Sequence, residues 1–408
     1  MSKNVHKKST KKPEIIVNST KSNNSKSSNT ILRIISAFFL GFLIISIIIF
    51  TVSLKKLNLL APWHIVLLFI AEILLLLLIS YKLIISPKTT LVTRIILIII
   101  SALIGSLSLF GNHYAVSTIK YLENITTEPS ETPTSQETEF NDSPFIVYIS
   151  GSDSRTTLNN NDRSDVNIVA VVNPRTSKIL LVNIPRDYYV RLHGTTGNLD
   201  KLTHAGTYGI EMSKKTIEDL LGIEIDATVK VGFDAVETIV DTLGGIEIES
   251  DQAFTPHTDK SCYITTGTQQ VNGACALAFS RERMAYETGD RHRGQNQQQV
   301  ITKIIKKLSE PAYLLKLPEV FKSAEGLFQT SFSYQEITNL IKYQIAKRPS
   351  WEVESVSLDG SGAHMPTYSM GAQNLYVMVP DESTIEAAKI KIAEYLKDGE
   401  KVDENENL

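Results

Sequence analysis

Carboxylates and arginines occur together in two widely separated clusters of this chain. The first contains Gly151-Ser-Asp-Ser-Arg155 and Arg163-Ser-Asp165, and the second contains Phe279-Ser-Arg-Glu-Arg283 and Gly289-Asp-Arg-His-Arg293. The segment Ile184-Pro-Arg-Asp187 lies between them. Arginine binds phosphate oxygens through two parallel donors, whereas a carboxylate binds phosphate only through an intervening cation. The clusters therefore predict a site for a multiply charged phosphate with a bound metal ion.

Asp153 and Asp165 are the candidate metal ligands. Asp153 closes a predicted strand and Asp165 opens the next one, so neighbouring strands would bring both carboxylates to one edge of a sheet. Two carboxylates, completed by phosphate oxygens and water, commonly hold Mg²⁺. Taken alone, the segment 151–155 also fits a polar turn that caps the sheet, and the presence of Asp165 favours the metal site.

Arginines supply the candidate phosphate contacts. Arg186 follows the third predicted strand, and Arg281, Arg283 and Arg293 lie in one segment around the start of a predicted helix. A charged segment is often only a solvated face, but four arginines with little lysine among them indicate bidentate phosphate binding. Gln297 would add a neutral donor from the first turn of that helix.

Short apolar segments rich in β-branched residues predict the strands that must position these side chains. They cover residues 145–149, 166–172, 179–184, 229–231 and 246–248, with a tight antiparallel connection at 173–177. Apolar residues at helical spacing predict helices over 212–221, 234–243, 295–308, 334–346 and 385–396. The fold class is therefore expected to be α/β, with a central mixed sheet and helices packed on both faces.

Composition divides the rest of the chain. Its 408 residues carry a net charge of -3, which argues against a general nucleic-acid binder. Residues 1–30 are rich in Lys, Ser, Asn and Thr and are predicted to be a disordered basic tail. An acidic Pro/Thr/Ser-rich stalk is predicted over 120–143, before a domain at 144–397. Residues 398–408 are predicted to form a charged, frayed tail.

Three apolar stretches predict three transmembrane helices within residues 31–119. They run over 31–53, 59–79 and 95–119, close to the roughly 20 residues needed to cross a bilayer. A cleavable signal peptide is the competing interpretation, but a polar tail precedes the first stretch and two more stretches follow. Basic residues in the tail and second loop predict a cytoplasmic N-terminus and an extracellular domain. Glu72 lies in the second span, where hydration or pairing with a neighbouring helix is favoured over a transport path.

The two cysteines, Cys262 and Cys275, both lie in the predicted external domain. A disulfide could persist there, and the spacing is compatible with a bridge across a hairpin. Two buried free thiols are nearly as compatible with it. The sequence leaves both states open.

Other catalytic signatures are missing from the sequence. It contains no Gly-x-x-x-x-Gly-Lys-Ser/Thr loop, no Gly-x-Ser-x-Gly elbow and no Cys/His spacing for zinc. The histidines, among them His204 and His292, are scattered, so they are assigned no metal role. Asp290 is expected to orient the nearby arginines rather than to accept a proton.

The motifs resemble those of the LytR-CpsA-Psr family of membrane-anchored cell-wall proteins. The resemblance covers about residues 144–301, with six motifs in the expected order. They are Gly151–Arg155, Arg163–Asp165, Ile184–Asp187, Phe233–Ile248 with Asp241–Gly245, and Phe279–Arg283 followed by Asp290, Arg293 and Gln297. The resemblance implies an α/β/α sandwich with an apolar tunnel for a prenyl chain.

The family pattern implies roles for individual residues. It assigns Asp153 and Asp165 to a magnesium ion, and Arg155, Arg163, Arg186, Arg281, Arg283, Arg293 and Gln297 to a lipid pyrophosphate. Lys201 is a further candidate phosphate contact, and the candidate catalytic residues are Asp153, Asp165, Arg186 and Arg283. Asn296 stands where many members have arginine, and residues 201–206 lack the Asn and Tyr often found there. Polymer or acceptor preference is therefore expected to differ.

The resemblance also implies a phosphotransferase. Family members move an anionic glycopolymer, of the teichoic acid or capsular polysaccharide type, from an undecaprenyl-pyrophosphate carrier to peptidoglycan. A muramic acid hydroxyl would attack the sugar-side phosphorus and form a phosphodiester, with Asp153 or Asp165 as candidate base. A lipid pyrophosphate hydrolase and a non-catalytic prenyl-phosphate-binding regulator are the alternative functions.

Overall fold

A computed structural model describes residues 20–59, 62–85, 90–126, 142–154, 157–158, 161–195, 199–314 and 316–397. The chain divides into two compact units. Among the described residues, the first comprises those from Thr20 to Lys56 and from Pro62 to Ala115, and the second comprises Leu57–Leu59 and those from Val116 to Lys397. Most of the predicted stalk lies outside the described residues. The predicted tail at 398–408 and residues 1–19 of the predicted N-terminal tail lie outside them entirely.

Three long helices account for the first unit. They are α1 (Thr20–Leu57), α2 (Pro62–Ser80), which continues as one π-helical turn over Tyr81–Ile85, and α3 (Leu91–Ile125), whose residues after Ala115 belong to the second unit. All three are long and apolar enough to cross a membrane. The predicted apolar helices are therefore present. Helix α1 begins at Thr20, inside the predicted tail, and α3 continues past the predicted end of the third span.

Small residues and polar pairs connect the helices of the first unit. A Cβ added at Gly105 would lie 2.5 Å from Phe42 Cε1, and one at Gly111 would lie 2.6 Å from Phe50 Cε2. Glycine at such positions lets membrane helices approach closely. Glu72 accepts a hydrogen bond from Thr51 Oγ1 on α1 at 3.1 Å. Glu72 therefore pairs with a neighbouring helix, as its position favoured.

The second unit is built on a mixed sheet of six strands. In chain order the strands of this unit are β1 (Phe145–Ser152), β2 (Val166–Asn173), β3 (Lys178–Asn183), β4 (Tyr189–Val190), β5 (Asp200–Lys201), β6 (Ala227–Gly232), β7 (Ile246–Ser250), β8 (Gly267–Val271), β9 (Phe328–Thr330), β10 (Glu352–Ser357), β11 (Gly360–Thr367) and β12 (Gly371–Pro380). The central order is β10-β3-β2-β1-β6-β9. Strand β1 is antiparallel to β2 and parallel to β6, and β10 is parallel to β3. The expected central mixed sheet is confirmed.

Helices cover both faces of this sheet. They are α4 (Leu202–Ala205), α5 (Ile210–Leu221), α6 (Phe233–Thr242), α7 (Gly273–Arg281), α8 (Asp290–Ser309), α9 (Pro311–Leu314), α10 (Leu317–Ser323), α11 (Tyr334–Lys347) and α12 (Glu382–Leu396). Successive strand residues point to opposite faces. Tyr148 therefore packs with Ile217 of α5 and Ile385 of α12, whereas Val147 packs in a second core with Leu277 of α7.

Three small hairpins flank the sheet. Strand β4 pairs with β5, β7 with β8, and β11 with β12, all antiparallel. The predicted strand at 246–248 thus belongs to a separate hairpin. Cys262, in the loop between β7 and β8, is disulfide-bonded to Cys275 in the first turn of α7. The bridge therefore joins a loop to a helix rather than the two strands of a hairpin.

Candidate active site

Asp153 and Asp165 lie at the same edge of the sheet. Gly151 near the end of β1 pairs with Val166 at the start of β2, because these strands are antiparallel neighbours. The backbone N–H of Asp165 donates to Gly151 O at 2.8 Å. Each aspartate is therefore adjacent to a paired strand end, as the sequence predicted.

A buried hydrogen-bond network holds this edge in place. Tyr148 Oη donates to Asn167 Oδ1 at 2.7 Å, and Ser164 Oγ donates to the same oxygen at 2.7 Å. Ser150 Oγ lies 2.8 Å from Ser164 Oγ. Burial raises the pKa of Tyr148, so its hydroxyl stays protonated and available as a donor. The network fixes the backbone of Ser164, and with it the adjacent Asp165.

Arg186 connects this edge to the arginines. Its Nη1 donates to Asp165 Oδ1 at 2.7 Å. Burial lowers the pKa of Arg186, but the hydrogen bond to Asp165 and the charges of Asp187 and Asp165 outweigh burial and raise it. Its Nε is buried without a hydrogen-bond partner among the described residues. The charged group that faces this nitrogen is the Asp187 carboxylate, whose Oδ2 lies 3.7 Å away.

Asp187 is a residue of this site for which the sequence indicated no role. Its Oδ1 accepts a hydrogen bond from Lys201 Nζ at 2.9 Å, and its Oδ2 lies 3.7 Å from Arg186 Nε. The side chain is largely buried. Asp187 therefore holds two predicted phosphate contacts side by side. The pairing of β4 with β5 brings Lys201 to it.

Arg281 is the last residue of α7 and lies beside the first candidate metal ligand. Its Nη2 is 3.4 Å from Asp153 Oδ2, and its guanidinium carbon is 4.8 Å from the centre of the Phe233 ring. The stacking restricts the planar guanidinium, while its polar edge stays directed at the carboxylate. Arg281 thus connects the two clusters that are far apart in sequence.

Asp290 orients two further arginines, as its position suggested. Its Oδ1 lies 2.7 Å from Arg293 Nη2 and 3.8 Å from Arg283 Nη1. Burial lowers the pKa of Arg293, the charge of Asp290 opposes this, and the charges of Arg186 and Arg283 lower it further. Arg293 Nε is also buried without a hydrogen-bond partner in the described parts of the chain. The repulsion between these arginines is what an anionic ligand would relieve.

Helix α8 begins earlier than predicted. It starts at Asp290 rather than Gln295, so Arg293 is in its first turn and Gln297 in its second turn, not its first. A Cβ at Gly294 would lie 2.5 Å from Asn183 Nδ2, so a larger residue here would displace the Asn183 amide at the end of β3. This close contact brings Arg293 near Arg186, which follows β3.

Glu282 is a second residue whose role the sequence did not reveal. It is buried, and its Oε1 accepts the backbone N–H groups of Arg283 at 3.0 Å, Met284 at 2.6 Å and Ala285 at 3.0 Å. Its Oε2 accepts that of His257 at 2.6 Å. Burial raises the pKa of Glu282, but these four hydrogen bonds outweigh burial and lower it. Glu282 therefore anchors the loop that carries Arg283.

Two cavities open beside the arginines, and Arg186 and Asp290 line both. The first, of about 600 Å³, lies between α8 and strands β3 and β10; besides the shared pair its lining includes Asp165, Ile184, Arg293, Gln297, Gln298, Val353, Ser357, Leu358 and Met378. The second, of about 650 Å³, is lined further by Asp187, Lys201, Arg283, Met284, Tyr286, Gly289 and Tyr376. The walls of the first cavity are of mixed polarity, so the apolar tunnel remains a prediction.

The predicted site residues are not all placed at these cavities. Arg163 is exposed and lines neither of them. Arg155 lies outside the described residues. Asp153 and Arg281 form their own pair beside Asp165, away from the lining of both cavities.

The donor chemistry of Asp153 and Asp165 fits magnesium. No cluster of three or more His, Cys, Asp or Glu side chains suited to a metal occurs among the described residues. Magnesium does not need one, because it retains several waters and is held by one or two carboxylates together with substrate phosphates. A transition metal such as zinc would require a more complete set of protein ligands. The two carboxylates are thus compatible with a magnesium ion that binds together with a phosphate.

Comparisons with known proteins identify the family of this chain. The model of the LytR_cpsA_psr family matches residues 109–393. The polyisoprenyl-teichoic acid–peptidoglycan teichoic acid transferase TagU of Bacillus licheniformis is 30% identical over 294 residues, which are 72% of this chain and 90% of the relative. TagU of Bacillus subtilis, with the same name, is 30% identical over 256 residues, or 62% of this chain and 78% of the relative.

A solved structure supports the same relationship. The crystal structure of TagV from Bacillus subtilis superposes with a TM-score of 0.53 and 27% identity, over 63% of this chain and 98% of that one. The family match covers more than half of the present sequence, and it includes both arginine and carboxylate clusters. The chain therefore belongs to the LytR-CpsA-Psr family.

Proposed function

We propose that this protein transfers an anionic glycopolymer of the teichoic acid type from a polyprenyl-pyrophosphate carrier to peptidoglycan. The observation that carries the proposal is the placement of the Arg186 and Arg293 guanidinium groups at one cavity, each held by an aspartate, Asp165 and Asp290 respectively. Two converging guanidinium groups fit a pyrophosphate, whose oxygens accept parallel hydrogen bonds. The relatives' names supply the class of polymer and acceptor.

The carrier's pyrophosphate would lie between the two arginine-bearing segments. Arg186 and Arg293 would bind it from the first cavity, and Arg283 and Lys201 from the second. The prenyl chain would leave through the first cavity, where Ile184, Val353, Leu358 and Met378 provide apolar surface. Gln297 would add a neutral donor from the second turn of α8.

Asp153 and Asp165 would hold a magnesium ion at the neighbouring sheet edge. When bound, the ion would neutralise negative charge on the phosphate oxygens. The reaction itself requires a hydroxyl of the acceptor to form a bond to the sugar-side phosphorus. The bond from that phosphorus to the bridging oxygen breaks, prenyl phosphate leaves, and a phosphodiester remains. The acceptor proton passes to a carboxylate, for which Asp153 and Asp165 are the candidates.

The arginines act on the charge that develops during this transfer. The leaving prenyl phosphate gains negative charge as the anhydride bond breaks, and guanidinium groups already fixed by Asp165, Asp187 and Asp290 can stabilise it without rearranging. This explains why each predicted phosphate arginine near the cavities also contacts a carboxylate. The three apolar helices would anchor the protein in the membrane, with the second unit on the extracellular side, where peptidoglycan lies.

Replacement of Arg186 by lysine tests the proposal. The full chain in detergent or nanodiscs is incubated with a prenyl-pyrophosphate-linked glycan labelled with phosphorus and with peptidoglycan strands. Wild type is expected to form labelled, wall-linked glycan, and Arg186→Lys to slow this by on the order of 10²-fold because it retains charge but loses the planar fork. Arg175→Lys, in the exposed turn between β2 and β3, is the matched control. Free phosphorylated glycan as the main product in the presence of peptidoglycan would instead identify a hydrolase.

A further inference from the structure

The second cavity has a wall that the phosphate chemistry does not use. Lys201, Arg283 and Arg186 contribute cationic groups, whereas Met284, Tyr286 and Tyr376 contribute apolar and aromatic surface. Met284 is 76% exposed and Tyr376 is 45% exposed. Large apolar side chains that stay exposed beside a charged cavity often mark a binding surface.

We propose that this cavity binds the acceptor, a pyranose unit of a peptidoglycan strand, and that Tyr376 is its specificity-determining residue. The inference rests on the proposed function and extends it to the second substrate. An aromatic ring offers a flat apolar face to the C–H groups of a sugar, while neighbouring hydroxyls bind charged and polar donors. Tyr376 with Lys201 and Arg283 provides this combination.

The two cavities share lining residues, as a phosphoryl transfer between two substrates requires. In such a reaction the attacking and leaving oxygens lie roughly in line on opposite sides of the phosphorus. Arg186 and Asp290 line both cavities, so a phosphate held by Arg186 can be approached from either one. If the prenyl phosphate leaves through the first cavity, the attacking hydroxyl arrives through the second.

Tyr376 is fixed on one side and exposed on the other. A Cβ at Gly362 would lie 3.0 Å from Tyr376 Cε2, so the ring packs closely over Gly362 on the paired strand β11. The His364 ring meets it edge-on, with 5.9 Å between ring centres. A ring that is already ordered loses little conformational freedom when a ligand stacks on it.

The hairpin that carries Tyr376 is joined to the segment that carries Lys201. Ser369, between β11 and β12, donates its backbone N–H to Asp200 Oδ2 at 2.8 Å. The buried Asp200 precedes Lys201 on β5, and its other oxygen lies 2.7 Å from His204 Nδ1. Met378 N donates to Asp187 O at 2.8 Å. The aromatic ring of Tyr376 and the ammonium group of Lys201 are therefore held in a fixed arrangement in the lining of the second cavity.

The test measures acceptor and donor separately with the full chain. Tyr376→Ala is expected to raise the KM for peptidoglycan strands about three- to tenfold, the size of a lost aromatic contact. Turnover of the prenyl-pyrophosphate-linked glycan in water, without acceptor, is expected to stay at the wild-type rate. Tyr376→Phe keeps the ring and is expected to behave like wild type. Tyr368→Ala is the matched control, because Tyr368 is equally exposed at the tip of the same hairpin but does not line the cavity.

The possible outcomes separate the inference from the proposed function. An unchanged acceptor KM in Tyr376→Ala, or an equal increase in Tyr368→Ala, would overturn the inference. If Tyr376→Ala also loses turnover in water, Tyr376→Thr decides, because a β-branched residue suits a strand while it removes the ring. If the wild type neither binds nor turns over the prenyl-pyrophosphate-linked glycan, the proposed function fails first, and the acceptor site fails with it.

Discussion

Arg186 Nη1 donates to Asp165 Oδ1 over 2.7 Å, so a candidate phosphate ligand and a candidate metal ligand are in direct contact. Because the two side chains share one hydrogen bond, the metal and phosphate parts of the site cannot be independent. A cation bound by Asp165 would weaken its attraction for Arg186 and direct more of the guanidinium toward phosphate. Metal binding and phosphate binding are therefore expected to be coupled.

Magnesium removal tests this coupling. We expect a prenyl pyrophosphate to raise the unfolding temperature of the wild-type protein more in the presence of Mg²⁺ than in EDTA, because ligands stabilise the state they bind. Asp165→Asn should reduce the affinity for Mg²⁺ in this assay by on the order of tenfold, since it removes one of two charged ligands. Asp219→Asn is the control, because Asp219 is exposed on α5 and pairs with His193. An identical response to Mg²⁺ in wild type and Asp165→Asn would exclude Asp165 as a ligand.

Glu282 predicts a pH-dependent stability. Burial raises its pKa, but hydrogen bonds from His257, Ala285, Met284 and Arg283 lower it below its ordinary value of 4.5. A group whose pKa is lower in the folded state contributes stability above its unfolded pKa, and this contribution is lost as the pH falls through the folded pKa. Stability from Glu282 is therefore complete near neutral pH and declines below about pH 4.5.

Glu282→Gln should lose about 1.5–3 kcal/mol of unfolding free energy at pH 7, because its amide NH₂ faces backbone donors that need an acceptor. The loss should shrink as wild type is acidified below about pH 4.5. Denaturant unfolding at several pH values provides the measurement. Glu287→Gln, at an exposed position of the same loop, serves as the control. A difference between wild type and Glu282→Gln that stays constant at all pH values would contradict this account.

The disulfide predicts sensitivity to reduction. Cys262 and Cys275 are 13 positions apart, and a disulfide that closes a loop of that size stabilises the folded state by about 3 kcal/mol. Reductant should therefore lower the unfolding temperature of wild type by several degrees. The double variant Cys262→Ser/Cys275→Ser should start lower and show no response to reductant. Transfer activity should decrease less than stability, because Arg281 lies at the opposite end of α7 from Cys275.

Local patterns in the sequence were sufficient to predict much of the central fold. The β-branched segment 166–172 predicts a buried strand and forms β2, since alternate residues of such a strand pack on opposite faces. Gly222 adopts a left-handed conformation with φ of 66° and ends α5, as its position after Leu221 indicated. The resemblance in motif order identified the family, which the comparisons establish.

Elements without an apolar pattern could not be found in this way. Strand β11 is largely exposed and the first half of β12 is polar, and the apolar run Leu375–Val379 in the second half of β12 shows no alternation with polar residues. The first turn of α8, Asp290-Arg-His-Arg293, is entirely polar because it lines a cavity instead of a core. Both segments carry candidate functional residues, so the elements that the sequence patterns did not predict are elements of the site.

The sequence by itself determined the residue types of this protein's site, the three apolar helices and the positions of the main strands along the chain, because composition and periodicity are local properties. Only the tertiary structure decided the partners. Asp187 meets Lys201, Arg281 meets Asp153, and Glu282 meets His257 through contacts between different elements of the fold. Such pairings depend on how sheet, helices and hairpins pack together, and no local pattern encodes them.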